Sequence, residues 1–74
     1  MEATSPLECV AYIGETAGAV WRVLSENGPM SVAKLLKAVD EPRDTVMQAL
    51  GWLARENKLS IEDEGRTRIV SLAE

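Results

Sequence analysis

The sequence predicts a mainly α domain with a small β-hairpin, an α+β fold formed by one short chain. Apolar residues recur at the helical period of 3.6 through residues 13–58, and the period then changes to the two-residue alternation of strands. The chain has 74 residues, of which 46% are hydrophobic and 27% charged. This composition is too apolar for a disordered chain, and the length suits a single domain.

A first helix is predicted over residues 13–27, which carry the apolar stripe Ile13, Ala17, Val20 and Leu24. Residues 5–8, Ser-Pro-Leu-Glu, have the form of a capping box, so residues 6–12 either extend this helix or form a separate turn. Gly28 and Pro29 are expected to end the helix, with Gly28 as its left-handed cap. We therefore assign residues 1–12 to an N-terminal extension and residues 13–74 to the domain.

A second, shorter helix is predicted after a brief extended piece at Pro29 and Met30. Ser31 is a suitable N-cap, and a helix of about eight residues follows, with the apolar positions Val32, Leu35, Leu36 and Val39. A turn at residues 40–43 separates it from a third helix, which begins at Pro42 and closes at Asn57-Lys58. The predicted core stripe of this third helix is Val46, Ala49, Leu50 and Leu53.

The last segment is predicted as a hairpin. Residues 59–62 alternate as a half-buried strand, residues 63–66 form a turn around Gly65, and residues 67–72 form the second strand. The complete order is helix, short strand, helix, helix, strand, strand. This is the order of a winged helix-turn-helix domain, in which the hairpin is the wing.

Three stretches also resemble a family of small stand-alone prokaryotic winged helix-turn-helix proteins that is catalogued as a domain of unknown function. They are residues 13–21 (IGETAGAVW), 24–28 (LSENG) and 49–59 (ALGWLARENKL), of which the run LGWLARE is the most specific. The resemblance covers residues 13–72 and implies the winged helix fold, a DNA-binding role by analogy of fold, and a homodimer. It implies no catalytic residues. One departure is the start of the third helix, where Asp40-Glu41-Pro42 replaces the family's Ser-type cap.

Several function classes are excluded by composition. The chain has no histidine and one cysteine, so it lacks the commonest general base and any multi-cysteine metal site. Its paired acids lie in predicted turns, where they are expected to be solvated and so do not form a catalytic pair. We therefore predict no enzymatic activity, no metal, no cofactor and no small-molecule ligand. The acidic N-terminus, the lack of a long apolar run and the single Cys9 predict a cytoplasmic protein without membrane contact.

The distribution of charge makes DNA the leading candidate partner. Residues 1–27 have a net charge of -3, whereas seven of the eight basic residues follow them. Arg43, Gln48 and Arg55 are predicted on the groove-facing side of the third helix. The predicted phosphate contacts are Lys34, Lys37 and Arg66, with Arg68 as a further candidate. The alternative is that these residues form only the solvated face of a small acidic domain.

A protein-interaction or dimerisation module is the competing hypothesis. The sequence pI is about 4.7, and the wing acids at residues 62–64 would repel phosphate. Trp21 and Trp52 lie at the edges of their apolar stripes, where they either pack between the helices and hairpin or contact a partner. A chain of this size buries only about 60% of its unfolded surface, which favours a homodimer.

Overall fold

The computed structural model describes residues 6–73, and the side chains of residues 8–73. Three helices precede a hairpin, and α1 lies across α3 and one end of a small sheet. The elements are α1 (Pro6–Asn27), β1 (Met30–Ser31), α2 (Val32–Ala38), α3 (Arg43–Arg55), β2 (Leu59–Glu64) and β3 (Thr67–Leu72). The predicted order and the helix-rich α+β class are confirmed.

The first helix is continuous over 22 residues, so residues 6–12 extend it and do not form a separate turn. Ser5 of the predicted capping box lies outside the described residues. The C-terminal end agrees with the prediction, because Gly28 has φ of 78° and its amide donates to the Leu24 carbonyl at 2.8 Å. Glycine adopts this left-handed conformation without the cost that a Cβ would impose.

The second and third helices are capped in different ways. The Ser31 hydroxyl accepts a hydrogen bond from the Lys34 amide at 3.2 Å, which confirms the predicted N-cap of α2. Pro42 is the N-cap of α3 and not its first helical residue, because its extended backbone (ψ 142°) lies outside the helix. Its carbonyl accepts from the Val46 amide at 3.0 Å. The helix therefore begins at Arg43, one residue later than predicted.

The end of α3 is a Schellman motif centred on Asn57. This residue has φ of 61°, and its amide donates to the Ala54 carbonyl at 3.0 Å. The Lys58 amide reaches back to the Leu53 carbonyl at 2.9 Å. Both bonds satisfy carbonyls that the helix end would otherwise leave unpaired, and they turn the chain directly into β2.

The sheet has the order β1-β3-β2 and both pairings are antiparallel. The predicted four-residue turn is wrong: β2 continues through Asp63 and Glu64, and Gly65-Arg66 alone connects the strands. Gly65 has φ of 64° and occupies the first loop position, which suits the two-residue hairpin turn that favours glycine there. Each strand is thus paired to its tip.

The core lies where α1, α2, α3 and the sheet meet, and the predicted stripes supply most of it. Ile13, Val32 and Leu36 of those stripes are half-buried at its edge. The one buried polar side chain among the described residues, Thr16, donates to the Tyr12 carbonyl at 2.9 Å. The buried apolar residues are Ala17, Val20, Leu24, Leu35, Val39, Val46, Ala49, Leu50, Leu53, Leu59 and Val70.

Candidate nucleic-acid interface

The outer face of α3 lies opposite its buried stripe. At 100° per residue, one line of exposed positions runs along this face. Those positions are Asp44, Gln48, Gly51 and Arg55. A Cβ added at Gly51 would meet nothing within 4 Å, so the middle of this face is bare backbone open to solvent. We call it the outer face of α3.

A second feature joins α2, α3 and the wing. Arg43, at the start of α3, and Arg66, in the hairpin turn, line the same groove of about 380 Å³. Ala33 and Leu36 of α2 form part of its wall, and Arg68 of β3 also borders it. We call it the basic groove. Residues 23 positions apart in sequence are thereby brought to one surface.

Arg68 differs from its two neighbours because its guanidinium already has an anionic partner. Its Nε donates to Asp63 Oδ1 at 2.8 Å, and the two residues are direct cross-strand partners. This hydrogen bond and the charge of Arg68 lower the pKa of the Asp63 carboxyl. The pair follows from the two-residue turn, which places residue 63 opposite residue 68, and the predicted longer turn concealed it.

The remaining predicted contact residues are exposed but dispersed. Lys37 lies beside Ala33 on the outer side of α2, close to the basic groove by helical angle. Lys34 faces another groove, with Asn27 and Ile69. Arg55 is 12 residues beyond Arg43, which corresponds to about 18 Å along the helix axis. The structure therefore brings Arg43 and Arg66 together and leaves Lys34 and Arg55 apart from them.

Acidic side chains lie near the same end of α3. Asp40 and Asp44 are exposed, and Glu41 accepts a hydrogen bond from the hydroxyl of Tyr12 on α1. The hydrogen bond to Glu41 is the main cause that raises the pKa of Tyr12 above 10.0. Sequence patterns could not reveal this contact, because 29 positions separate the two residues. Glu41 is thereby tied to α1.

Both tryptophans are partly exposed on another side of the molecule. Trp21 is 47% exposed and Trp52 is 38% exposed. They border one groove of about 530 Å³ between α1 and the C-terminal part of α3, together with Gly14, Gly18 and Lys58. We call it the tryptophan groove. The sequence left two interpretations open, enclosure of the indoles between the helices and the hairpin or contact with a partner. Neither indole is enclosed in this way.

No group of three or more histidine, cysteine, aspartate or glutamate residues within residues 6–73 has the geometry to hold a metal ion. No helix in the same range is both long and apolar enough to cross a membrane.

Sequence comparison agrees with this architecture. The family model described as a winged helix-turn-helix domain, DUF2582, matches residues 1–72. The uncharacterized protein MJ1608 of Methanocaldococcus jannaschii is 32% identical over 62 residues, which cover 81% of this chain and 89% of the relative. The match to the family model thus extends through the first twelve residues, which lay outside the three resembling stretches.

Solved structures show the same fold. The solution NMR structure of BT2368 from Bacteroides thetaiotaomicron is 34% identical, with a TM-score of 0.76, over 84% of this chain and 76% of that protein. The Zalpha domain of Carassius auratus PKZ, solved in complex with Z-DNA, has a TM-score of 0.70 over 81% of this chain and 95% of that domain. Its identity of 20% makes it evidence for the fold alone.

Proposed function

The chain belongs to the winged helix-turn-helix family DUF2582, and we propose that it binds double-stranded DNA as a regulator of transcription and catalyses no reaction. The observation that carries this proposal is the basic groove. Arg43 and Arg66 come from the helix start and the wing tip, the two elements that flank a bound duplex in this fold. If α3 lies in the major groove of the duplex, these two cationic side chains stand beside it, where they can contact the phosphates that border that groove.

The outer face of α3 has the shape that the major groove admits. Its exposed positions form a single line, and the bare backbone at Gly51 allows close approach to base edges. Gln48 offers a side-chain amide, which pairs with adenine in two hydrogen bonds when the geometry allows. Arg55 is at the far end of this face, where it would meet a different phosphate or base from Arg43. Lys37 would add a contact from α2, and Lys34 a more remote one.

The expected binding is weak and depends strongly on salt. The chain has a net charge of -4, and Asp40 and Asp44 stand near Arg43. Each phosphate contact contributes about 0.9 to the salt slope, so a fourfold rise in salt lowers affinity about 3.5-fold per contact. Two to four contacts then give a loss of about 10- to 150-fold between 50 and 200 mM salt.

The test is fluorescence anisotropy of a labelled mixed-sequence duplex, titrated with the full chain at several salt concentrations. Arg43→Ala and Arg66→Ala should each weaken binding about threefold or more at low salt and reduce the salt slope by about 0.9. Gln48→Ala should change the preference among duplex sequences more than the salt slope, because an amide releases no counterion.

Lys58→Ala is the matched control, since it removes one positive charge from an exposed position after α3, away from the basic groove. It should bind DNA as the unaltered chain does. The proposal is refuted by flat titrations at low salt into the high micromolar range. It is also refuted by equal effects of Lys58→Ala and Arg66→Ala, which would indicate a diffuse charge effect.

A second candidate function, a protein-interaction module, is favoured by the tryptophan groove. Two partly exposed indoles border this groove, and tryptophan is enriched among the residues that supply most of the binding energy at protein interfaces. This groove and the basic groove lie on different flanks of α3, so the two functions do not compete for one surface. The domain can carry both.

A cytoplasmic location belongs to the same proposal. Cys9 is exposed and free, and a reducing compartment keeps such a thiol unpaired. DNA binding also places the protein in the compartment that holds the DNA.

A further inference from the structure

Helix α1 has a second face that the domain does not cover. Its first face is buried in the core, but a line about 100° away around the helix is exposed or half-exposed and has no charged residue. Val10 and Trp21 on this line are 48% and 47% exposed. We call it the open face of α1; its residues are Val10, Ala11, Gly14, Gly18, Trp21 and Ser25.

The two glycines of the open face have no role in packing within the chain. A Cβ added at Gly14 or Gly18 would meet nothing within 4 Å, and both residues have ordinary helical backbone. Each weakens the helix relative to alanine. Their smallness lets another helix approach the backbone of α1 closely at the spacing i, i+4, and Trp21 and Trp52 stand beside that gap.

We propose that the open face of α1 binds a second copy of this chain, with the two α1 helices antiparallel and crossing at residue 16. In this register Gly14 lies against Gly18 of the second copy, so the backbones meet where no side chain intervenes. Trp21 lies over Ala11 of the second copy, a large side chain against a small one. The surface is thus complementary to itself, which a twofold interface requires.

The charges beside the open face favour the antiparallel direction. Arg22 is the single basic residue of α1, and it shares a flank with Glu8 near the other end of the helix. Antiparallel twofold pairing puts the two flanks on the same side of the interface and brings Arg22 of each copy beside Glu8 of the other. A parallel twofold pair puts the flanks on opposite sides, where this attraction is absent. Glu15, midway between them, lies near the twofold axis and faces Glu15 of the second copy, so this repulsion offsets part of the attraction.

The interface is small, so the dimer is weak. Two indoles that are 47% and 38% exposed offer roughly 200 Å² of apolar surface between them. A stable dimer buries about 800 Å² on each partner. The two copies also repel each other, because each has a net charge of -4. We therefore expect reversible association at micromolar concentrations that salt strengthens.

Sedimentation equilibrium of the full chain over a range of concentrations tests the proposal. Gly18→Leu and Trp21→Ala should each weaken self-association at least tenfold, because one fills the gap and the other removes the side chain beside it. Gly51→Leu is the matched control: it adds the same side chain at another helical glycine with open space around it. It should associate as the unaltered chain does, and circular dichroism verifies that each variant is folded.

Indole emission gives an independent reading in the same samples. The emission maximum of Trp21 should move to shorter wavelength as the protein concentration rises. A variant with Trp52→Phe isolates that emission, because the chain has two tryptophans. The proposal is overturned if the chain is monomeric at all concentrations and salt levels, or if Gly18→Leu and Gly51→Leu associate equally. It does not rest on DNA binding. Salt should weaken DNA binding and strengthen association, so the two can fail separately.

Discussion

One substitution made at two glycines should change stability in opposite directions. Gly51 is in the interior of α3, and Gly28 is the left-handed cap that ends α1. An added Cβ meets nothing within 4 Å at either position, so no steric clash distinguishes them. The difference is confined to the backbone, which is helical at Gly51 and has φ of 78° at Gly28.

The expected magnitudes follow from that difference. Gly51→Ala should stabilise the domain by about 1 kcal/mol, because alanine has the higher helix propensity and loses less entropy on folding. Gly28→Ala places a residue with a Cβ in the left-handed region, which costs about 1–2 kcal/mol. Alanine also lowers the conformational entropy of the unfolded chain, and this offsets about half of that cost. The net expectation is a loss of about 0.5–1 kcal/mol. For a domain of this length, 1 kcal/mol moves the Tm by about 4–8 °C.

Thermal and urea unfolding, followed by far-ultraviolet circular dichroism at low protein concentration, measure both effects without a contribution from association. The Tm values of the two variants should differ by about 6–16 °C, on opposite sides of the unaltered chain. A neutral or stabilising Gly28→Ala would show that residue 28 does not adopt the left-handed conformation. A destabilising Gly51→Ala would show that the outer face of α3 is not open as described.

Other variants test the caps, the core and the interhelical contact. Residue 57 must keep φ of 61°, which glycine adopts without strain and alanine does not. In urea unfolding, Asn57→Ala should therefore lower the unfolding free energy by about 1 kcal/mol, whereas Asn57→Gly should stay near the unaltered value. Leu35→Ala empties a fully buried position and should lower the unfolding free energy by about 2–5 kcal/mol in the same assay. Phenolate absorbance reports the single tyrosine, Tyr12, and its titration midpoint should exceed 10.0 and fall towards it in Glu41→Ala. Since the folded-state pKa is raised, the stabilisation from this contact is complete below the unfolded pKa and disappears as pH rises through the folded pKa.

Sequence reasoning predicted most of the fold because the relevant signals are local. The apolar stripe of α3, the Ser31 cap and the glycine at residue 28 each depend on residues within one or two helical turns. The hairpin turn was assigned the wrong length because Asp63 and Glu64 have low strand propensity. Cross-strand pairing, including the bond from Arg68 to Asp63, outweighed that local preference.

The candidate site was harder to predict from the sequence, because it is formed by residues that are distant in the chain and meet only in the folded structure. Charge and helix-face position together assigned five basic residues and Gln48 to the DNA-binding surface, but only their three-dimensional positions could separate Lys34 from the basic groove. Nothing in the sequence indicated the role that we propose for the two glycines of α1. Their low helix propensity only counted against a continuous helix. Their open surroundings became visible once α1 and α3 were packed together.

The two proposals are linked through α3, which lies between the surfaces. Arg43 faces the wing on one flank, and Trp52 faces α1 on the other, 9 residues further along the helix. A dimer formed through α1 therefore brings the C-terminal ends of the two α3 helices towards the twofold axis and leaves both basic grooves near the outside. One copy has few cations to hold a duplex, whereas two copies on one duplex make the second contact intramolecular. If both proposals hold, Gly18→Leu should weaken DNA binding without removing a single charge, and a covalently linked tandem of two chains carrying the substitution should recover it.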